Sequence, residues 1–126
     1  MNTQHSTLVE SFRFAFAGLG QALRTQRNAR IHATIAAVVL ILGAALGLEP
    51  IEWAVIALTI GFVFVAELFN TVVEAAIDLV TEDYHPLAKQ AKDMAAGAVL
   101  ISALVAVAVG ILILGPPLLA KIGWKP

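Results

Sequence analysis

Apolar and polar positions divide the chain into four stretches joined by short polar turns. In residues 8–27, Leu8, Phe12, Ala15, Phe16, Leu19 and Leu23 recur at three- or four-residue spacing, with Glu10, Arg13, Gln21 and Arg24 opposite. This pattern predicts an amphipathic helix, too polar to cross a bilayer and suited to its interface. Gly18 and Gly20 weaken the helix locally and allow a kink. Three longer apolar runs follow, with membrane helices expected over 31–48, 51–80 and 92–115. Each has about the 20 apolar residues that a hydrocarbon core demands. Pro116 and Pro117 are expected to end the last one. The first run starts too late and is too long for a signal-peptide core, so no cleaved leader is expected.

The pattern therefore predicts an all-α integral membrane protein: three transmembrane helices preceded by an interfacial helix, in a single domain over 1–126. Composition agrees, since 60% of the 126 residues are hydrophobic and only 13% charged, more apolar surface than a soluble domain of this size can bury. Basic residues set the expected orientation. Arg13, Arg24, Arg27 and Arg30 precede the first span, Lys89 and Lys92 lie between the second and third, and "GLEPIEW" has neither Lys nor Arg. The positive-inside rule then places the N-terminus and the second loop in the cytoplasm of a bacterial inner membrane, with Lys121 and Lys125 a mild exception outside. A formal charge of −1 and the lack of any basic run argue against nucleic acid. The absence of cysteine excludes disulfides and thiol chemistry.

The second span breaks the apolar pattern at one end only. In "AELFNTVVEAAIDL", residues 66–79, Glu67, Asn70, Thr71, Glu74 and Asp78 fall within a sector of about 100° on one helix. An acidic side chain at mid-membrane costs about 2.5–3.5 kcal/mol. Asn, Ser or Thr would hold helices together at lower cost. Three carboxylates on one face thus point to chemistry rather than packing. Such a group suits Mg²⁺, which takes one or two carboxylates together with substrate phosphates and water. A second, deeper carboxylate suits a general base. The next segment adds Lys89, Lys92 and Asp93 at i, i+3 and i+4, and Lys92 is a point charge able to meet a phosphate. Ala95, Ala96, Gly97 and Ala98 make this part of the helix thin, so that another helix can approach closely. No GxxxxGK[ST], GxGxxG or HExxH motif is present. By physical argument alone the chain holds a cation-binding polar site at the cytoplasmic membrane surface, and the reaction type stays open.

"AELFNTVVEAAIDL" followed by "YHPLAKQAKDMAAGAV" resembles the E-L-x-N-T-x-x-E and K-D-x-A-A-x-A-V motifs of the prokaryotic membrane lipid kinases, the diacylglycerol and undecaprenol kinases. The resemblance implies a homotrimer with active sites near the cytoplasmic interface, built between subunits, and ATP- and Mg²⁺-dependent phosphorylation of a lipid hydroxyl. Carried over by motif, Glu67 is the general base and also contacts the substrate, Glu74 ligates the metal, and Asn70 supports that site. Lys92 and Asp93 contact the nucleotide, as do Asp83, Tyr84 and His85 in the turn. Asn28 and Arg30 lie near the lipid headgroup. Gln26 departs from the family pattern, standing where a second metal-binding glutamate is usual; its amide oxygen can ligate Mg²⁺ but brings no charge. "RNARIH" and "YHPLAKQAKD" resemble the undecaprenol branch more than the diacylglycerol branch, so the expected product is undecaprenyl phosphate, with phosphatidic acid as the alternative. Two further readings of the stripe are a small cation-transport subunit and a structural subunit.

Overall fold

The computed structural model describes residues 7–81 and 83–124. Its regular structure, among the described residues, is four α-helices: α1 (Leu8–Thr25), α2 (Arg27–Leu46), α3 (Pro50–Val80) and α4 (Pro86–Lys121). The last three are long and apolar enough to cross a membrane.

Each helix start has a chemical cause. Thr7 caps α1 in a reciprocal box, its hydroxyl accepting from the Glu10 amide at 3.3 Å while the Glu10 carboxylate accepts from the Thr7 amide at 2.8 Å. Glu49 and Glu52 repeat the device at α3, where Pro50 occupies the first helical position and needs no donor. Pro86 does the same at α4, and the His85 ring nitrogen Nδ1 accepts from the Leu87 amide at 3.2 Å. At the end of α2, Gly47 adopts φ +73°, the left-handed conformation in which glycine carries no Cβ penalty, and its amide bonds to the Gly43 carbonyl at 3.0 Å.

The boundaries differ from the sequence-based expectation at several helix ends, among them the start of α4, which is at Pro86 rather than residue 92. α1 ends at Thr25, and Gln26 alone, in extended conformation, separates it from α2. α2 therefore begins at Arg27 rather than residue 31, because its first turn is polar and hydropathy does not register it. α1 also runs uninterrupted through Gly18 and Gly20. An equal difference is found at the end of α4. Pro116 and Pro117 do not stop the helix, which continues to Lys121. Proline's fixed φ is helical, and the two missing donors cost only the bonds to the Leu112 and Ile113 carbonyls. The final turn is tied down instead by the Lys121 ammonium, which donates to the Ala45 carbonyl of α2 at 2.6 Å. That bond satisfies one of the orphan carbonyls at a helix C-terminus.

α3 and α4 form the most extensive helix pair, joined by a short turn and so antiparallel, with α2 laid against both. The buried positions of α3 are Ile56, Val63, Glu67 and Asn70, seven, four and three residues apart and hence on one face. Small residues allow close approach: Ala29 and Gly43 on α2 and Ser102 on α4 are buried. Large apolar side chains such as Ile41, Leu58, Phe62, Leu104 and Leu112 point outward, the reverse of a water-soluble fold. Gly43 shows how tight the packing is. A Cβ built there would lie 2.9 Å from both Leu48 Cδ1 and Trp53 Cη2. Gly43→Ala is therefore expected to destabilise the bundle by about 1–3 kcal/mol through overpacking, read as a lowered melting temperature in detergent micelles.

Candidate active site

Helix length places the polar stripe. At 1.5 Å per residue, the 31 residues of α3 extend about 46 Å, well past a hydrocarbon core of about 30 Å. Glu67 and Asn70 then lie near the edge of the core, and Glu74 and Asp78 beyond it. Its first two members, Glu67 and Asn70, continue the buried face of Ile56 and Val63, so packing aims them into the protein, while Asp78 at its end is exposed.

Within it, Glu67 is 3% exposed and Asn70 8% exposed. The Asn70 amide nitrogen donates to Glu74 Oε1 at 3.1 Å, one helical turn on. Two buried oxygens, Glu67 Oε2 and Asn70 Oδ1, have no hydrogen-bond partner among the described residues. Buried polar groups are normally satisfied, so this pair marks a place where a ligand or another chain belongs. The Thr71 hydroxyl turns back to the Glu67 carbonyl at 3.1 Å and adds no group to the site. Glu74 is half-buried and keeps its second carboxylate oxygen available.

Next along the chain is a cup of about 410 Å³ where α3 ends and α4 begins. Asp78 lines it from α3, Thr81, Asp83, Tyr84 and His85 from the turn, and Lys89, Lys92 and Asp93 from α4. All five of the nucleotide-contact residues expected beyond α3 line this one cup. Its described lining holds three aspartates against two lysines, an excess of one negative charge with His85 neutral. The lysines are paired: Lys89 with Asp93 one turn on, and Lys92 with Asp78 at 2.5 Å across the α3–α4 turn.

The oxygen-rich set of Glu67, Asn70 and Glu74 suits a hard divalent cation. Among the described residues, no group of three or more His, Asp or Glu side chains stands ready to hold a metal by itself.

A sequence profile described as prokaryotic diacylglycerol kinase matches residues 13–114, which take in the stripe, the cup, α2, α3 and all of α4 but its end. The chain belongs to the prokaryotic diacylglycerol kinase family. It is 51% identical over 114 residues to a protein of Synechocystis named diacylglycerol kinase, covering 90% of this chain and 65% of that protein's length. It is 47% identical over 109 residues to a Bacillus subtilis protein named undecaprenol kinase, covering 86% of this chain and 89% of that one. An Escherichia coli K12 protein named diacylglycerol kinase is 26% identical over 105 residues. The family is thus one of lipid kinases with long apolar helices.

Within this family member the other expected residues stand apart from the cup. Asn28 and Arg30 are exposed in the first turn of α2, and Gln26 is half-buried at the α1–α2 junction, its side chain making no capping bond. For two residues that sequence reasoning named, the structure adds a partner that it did not give. Asp78 belongs to the stripe by period, yet its partner is 14 residues away and spacing cannot reveal it. His85 also caps α4, so its Nδ1 is engaged and the neutral ring carries its proton on Nε2. Asn70→Ala removes the donor to Glu74, which can rehydrate; a stability loss of about 1 kcal/mol is expected in denaturant titration of the reconstituted protein.

Proposed function

We propose that the protein transfers the γ-phosphoryl group of Mg·ATP to the hydroxyl of a membrane lipid, with undecaprenol the preferred acceptor and diacylglycerol the alternative. One observation carries the reading: a buried carboxylate oxygen without a partner, Glu67 Oε2, on the face of α3 that runs on toward a charged cup. Family membership supports it. The choice of undecaprenol draws on "RNARIH" and "YHPLAKQAKD", and on the match over 89% of the Bacillus undecaprenol kinase.

The lipid lies in the bilayer with its hydroxyl at the interface, the depth of Glu67. Glu67 takes the hydroxyl proton as the lipid oxygen bonds to the γ-phosphorus. The bond to the β,γ-bridging oxygen breaks, and ADP leaves with the electron pair. Positioning and charge neutralisation do most of the work in such a transfer. Lys92 meets the phosphates, Asp83, Tyr84, His85 and Asp93 hold the nucleotide, and Asn28 and Arg30 attend the lipid headgroup. Glu74, supported by Asn70 and joined by Gln26, would hold Mg²⁺, which offsets phosphate charge when bound. The cup's excess of negative charge gives a reason for that requirement, since bare triphosphate would be repelled. Glu67 Oε2 and Asn70 Oδ1, buried without partners, also support a site completed by a neighbouring subunit of a homotrimer. The distribution of basic residues supports a cytoplasmic N-terminus and active site in the inner membrane.

A transport role finds less support, because a conduit needs polar lining on both halves of the bundle. Away from the stripe, Thr34 donates to the Arg30 carbonyl and Ser102 to the Val99 carbonyl, so both hydroxyls are engaged by their own helices.

Phosphate transfer from Mg·ATP in mixed micelles, with undecaprenol and a diacylglycerol offered separately, tests the reading. Glu67→Gln is expected to lower kcat by about 10²- to 10⁴-fold, the usual contribution of a general base, while leaving the oligomer intact on size exclusion. Loss of the oligomer would point to an assembly role instead. Faster transfer to diacylglycerol would keep the kinase and overturn the choice of lipid. Gln26→Glu is expected to lower the Mg²⁺ concentration needed for half-maximal rate; an unchanged titration would separate this position from the metal.

A further inference from the structure

The Asp78–Lys92 pair is the feature of the cup that the proposed chemistry leaves unused. It joins side chains 14 residues apart across the α3–α4 turn, with Lys92 Nζ 2.5 Å from Asp78 Oδ1. The aspartate side chain is 65% exposed and the lysine 37% exposed. An ion pair this open contributes little to stability, so stability does not explain it. Its setting does. Asp93, adjacent in sequence to Lys92, is engaged by Lys89, which leaves Asp78 as the carboxylate that meets Lys92. The lysine stem is flexible, with four rotatable carbons, and an ammonium has three donors. One donor to Asp78 fixes the head at the cup and leaves two for phosphate oxygens.

We propose that Asp78 is a positioning residue that holds the Lys92 ammonium at the cup, so that it meets the transferring phosphate without a search of its rotamers. This inference rests on the reading that Lys92 contacts the nucleotide phosphates. It makes a prediction opposite in sign to that of simple charge. Asp78 is one of the three aspartates that give the cup its excess of one negative charge, so on charge alone Asp78→Asn would strengthen nucleotide binding and spare or raise turnover. As a positioning residue its loss slows turnover, because a reacting group misplaced by about 1 Å can cost up to about 100-fold.

Steady-state kinetics of Asp78→Asn, Asp78→Glu, Lys92→Gln and the Asp78→Asn/Lys92→Gln double variant decide the matter, with micelle melting curves as the control for folding. The expected result is a kcat for Asp78→Asn lowered roughly 10- to 100-fold with KM for Mg·ATP changed far less. Partial recovery in Asp78→Glu is expected, and no further loss when Asp78→Asn is added to Lys92→Gln. Additive losses in the double variant would overturn the inference, since Asp78 would then act independently of Lys92. So would an unchanged kcat in Asp78→Asn beside an impaired Lys92→Gln, an outcome that leaves the kinase reading standing. A Lys92→Gln enzyme with unaltered kinetics would remove the phosphate role of Lys92 and the inference with it. Should Asp78→Asn melt early, Asp78→Glu, which keeps the charge and shifts its reach, supplies the comparison with the double-variant logic unchanged.

Discussion

A hydrocarbon layer of about 30 Å accommodates about 20 helical residues, and α3 has 31. The surplus cannot remain in lipid, so the last turns emerge into the interface, and along those turns the apolar seam gives way to carboxylates. A helix ten residues shorter would have had to place Glu67 in hydrocarbon or dispense with the stripe. α4, at 36 residues, carries the same surplus at its beginning, and the antiparallel pairing lays one surplus against the other. The polar cup is therefore the volume enclosed where two over-long helices leave the same face of a thin apolar slab.

Because Glu67 and Asn70 share a face with Ile56 and Val63, the contacts that hold α3 in the bundle also orient the acidic groups. Rotating α3 to expose its apolar seam would turn the carboxylates toward lipid, which is costly for a charged group. Packing and chemistry thus constrain the same rotational setting. Asn70 serves both, its nitrogen on Glu74 and its oxygen buried without a partner.

The four helices and the face of the stripe were legible in sequence because each is a matter of period, and period is local. Glu67, Asn70 and Glu74 could be placed together by counting along one helix. The role of Asp78 was not legible, since its partner comes from another helix and depends on how the α3–α4 turn folds. The turn itself hid the capping duty of His85, as an isolated polar residue beside a proline has no period to read. At Pro116–Pro117, local propensity pointed the wrong way. A helix near its end loses little by missing two donors, and Lys121 secures the segment by reaching to α2. The start of α2 was missed for a simpler reason: hydropathy reports lipid contact, and the Arg27–Arg30 turn is helical without being apolar.

α4 is held near both ends by lysines that reach to other helices, Lys92 to Asp78 on α3 and Lys121 to the Ala45 carbonyl on α2. The two anchors are 29 residues apart, about 44 Å along the axis. Mechanically, the helix is a shaft clamped at two bearings mounted on different supports. It can bow between them, but it cannot spin or slide without releasing one. The slender middle of the shaft, around Gly97, Ser102 and Gly110, takes its angular setting from packing on α3, where Ser102 is buried, and the two lysine anchors add to it toward either end. A torque applied at one membrane face would be felt at the other.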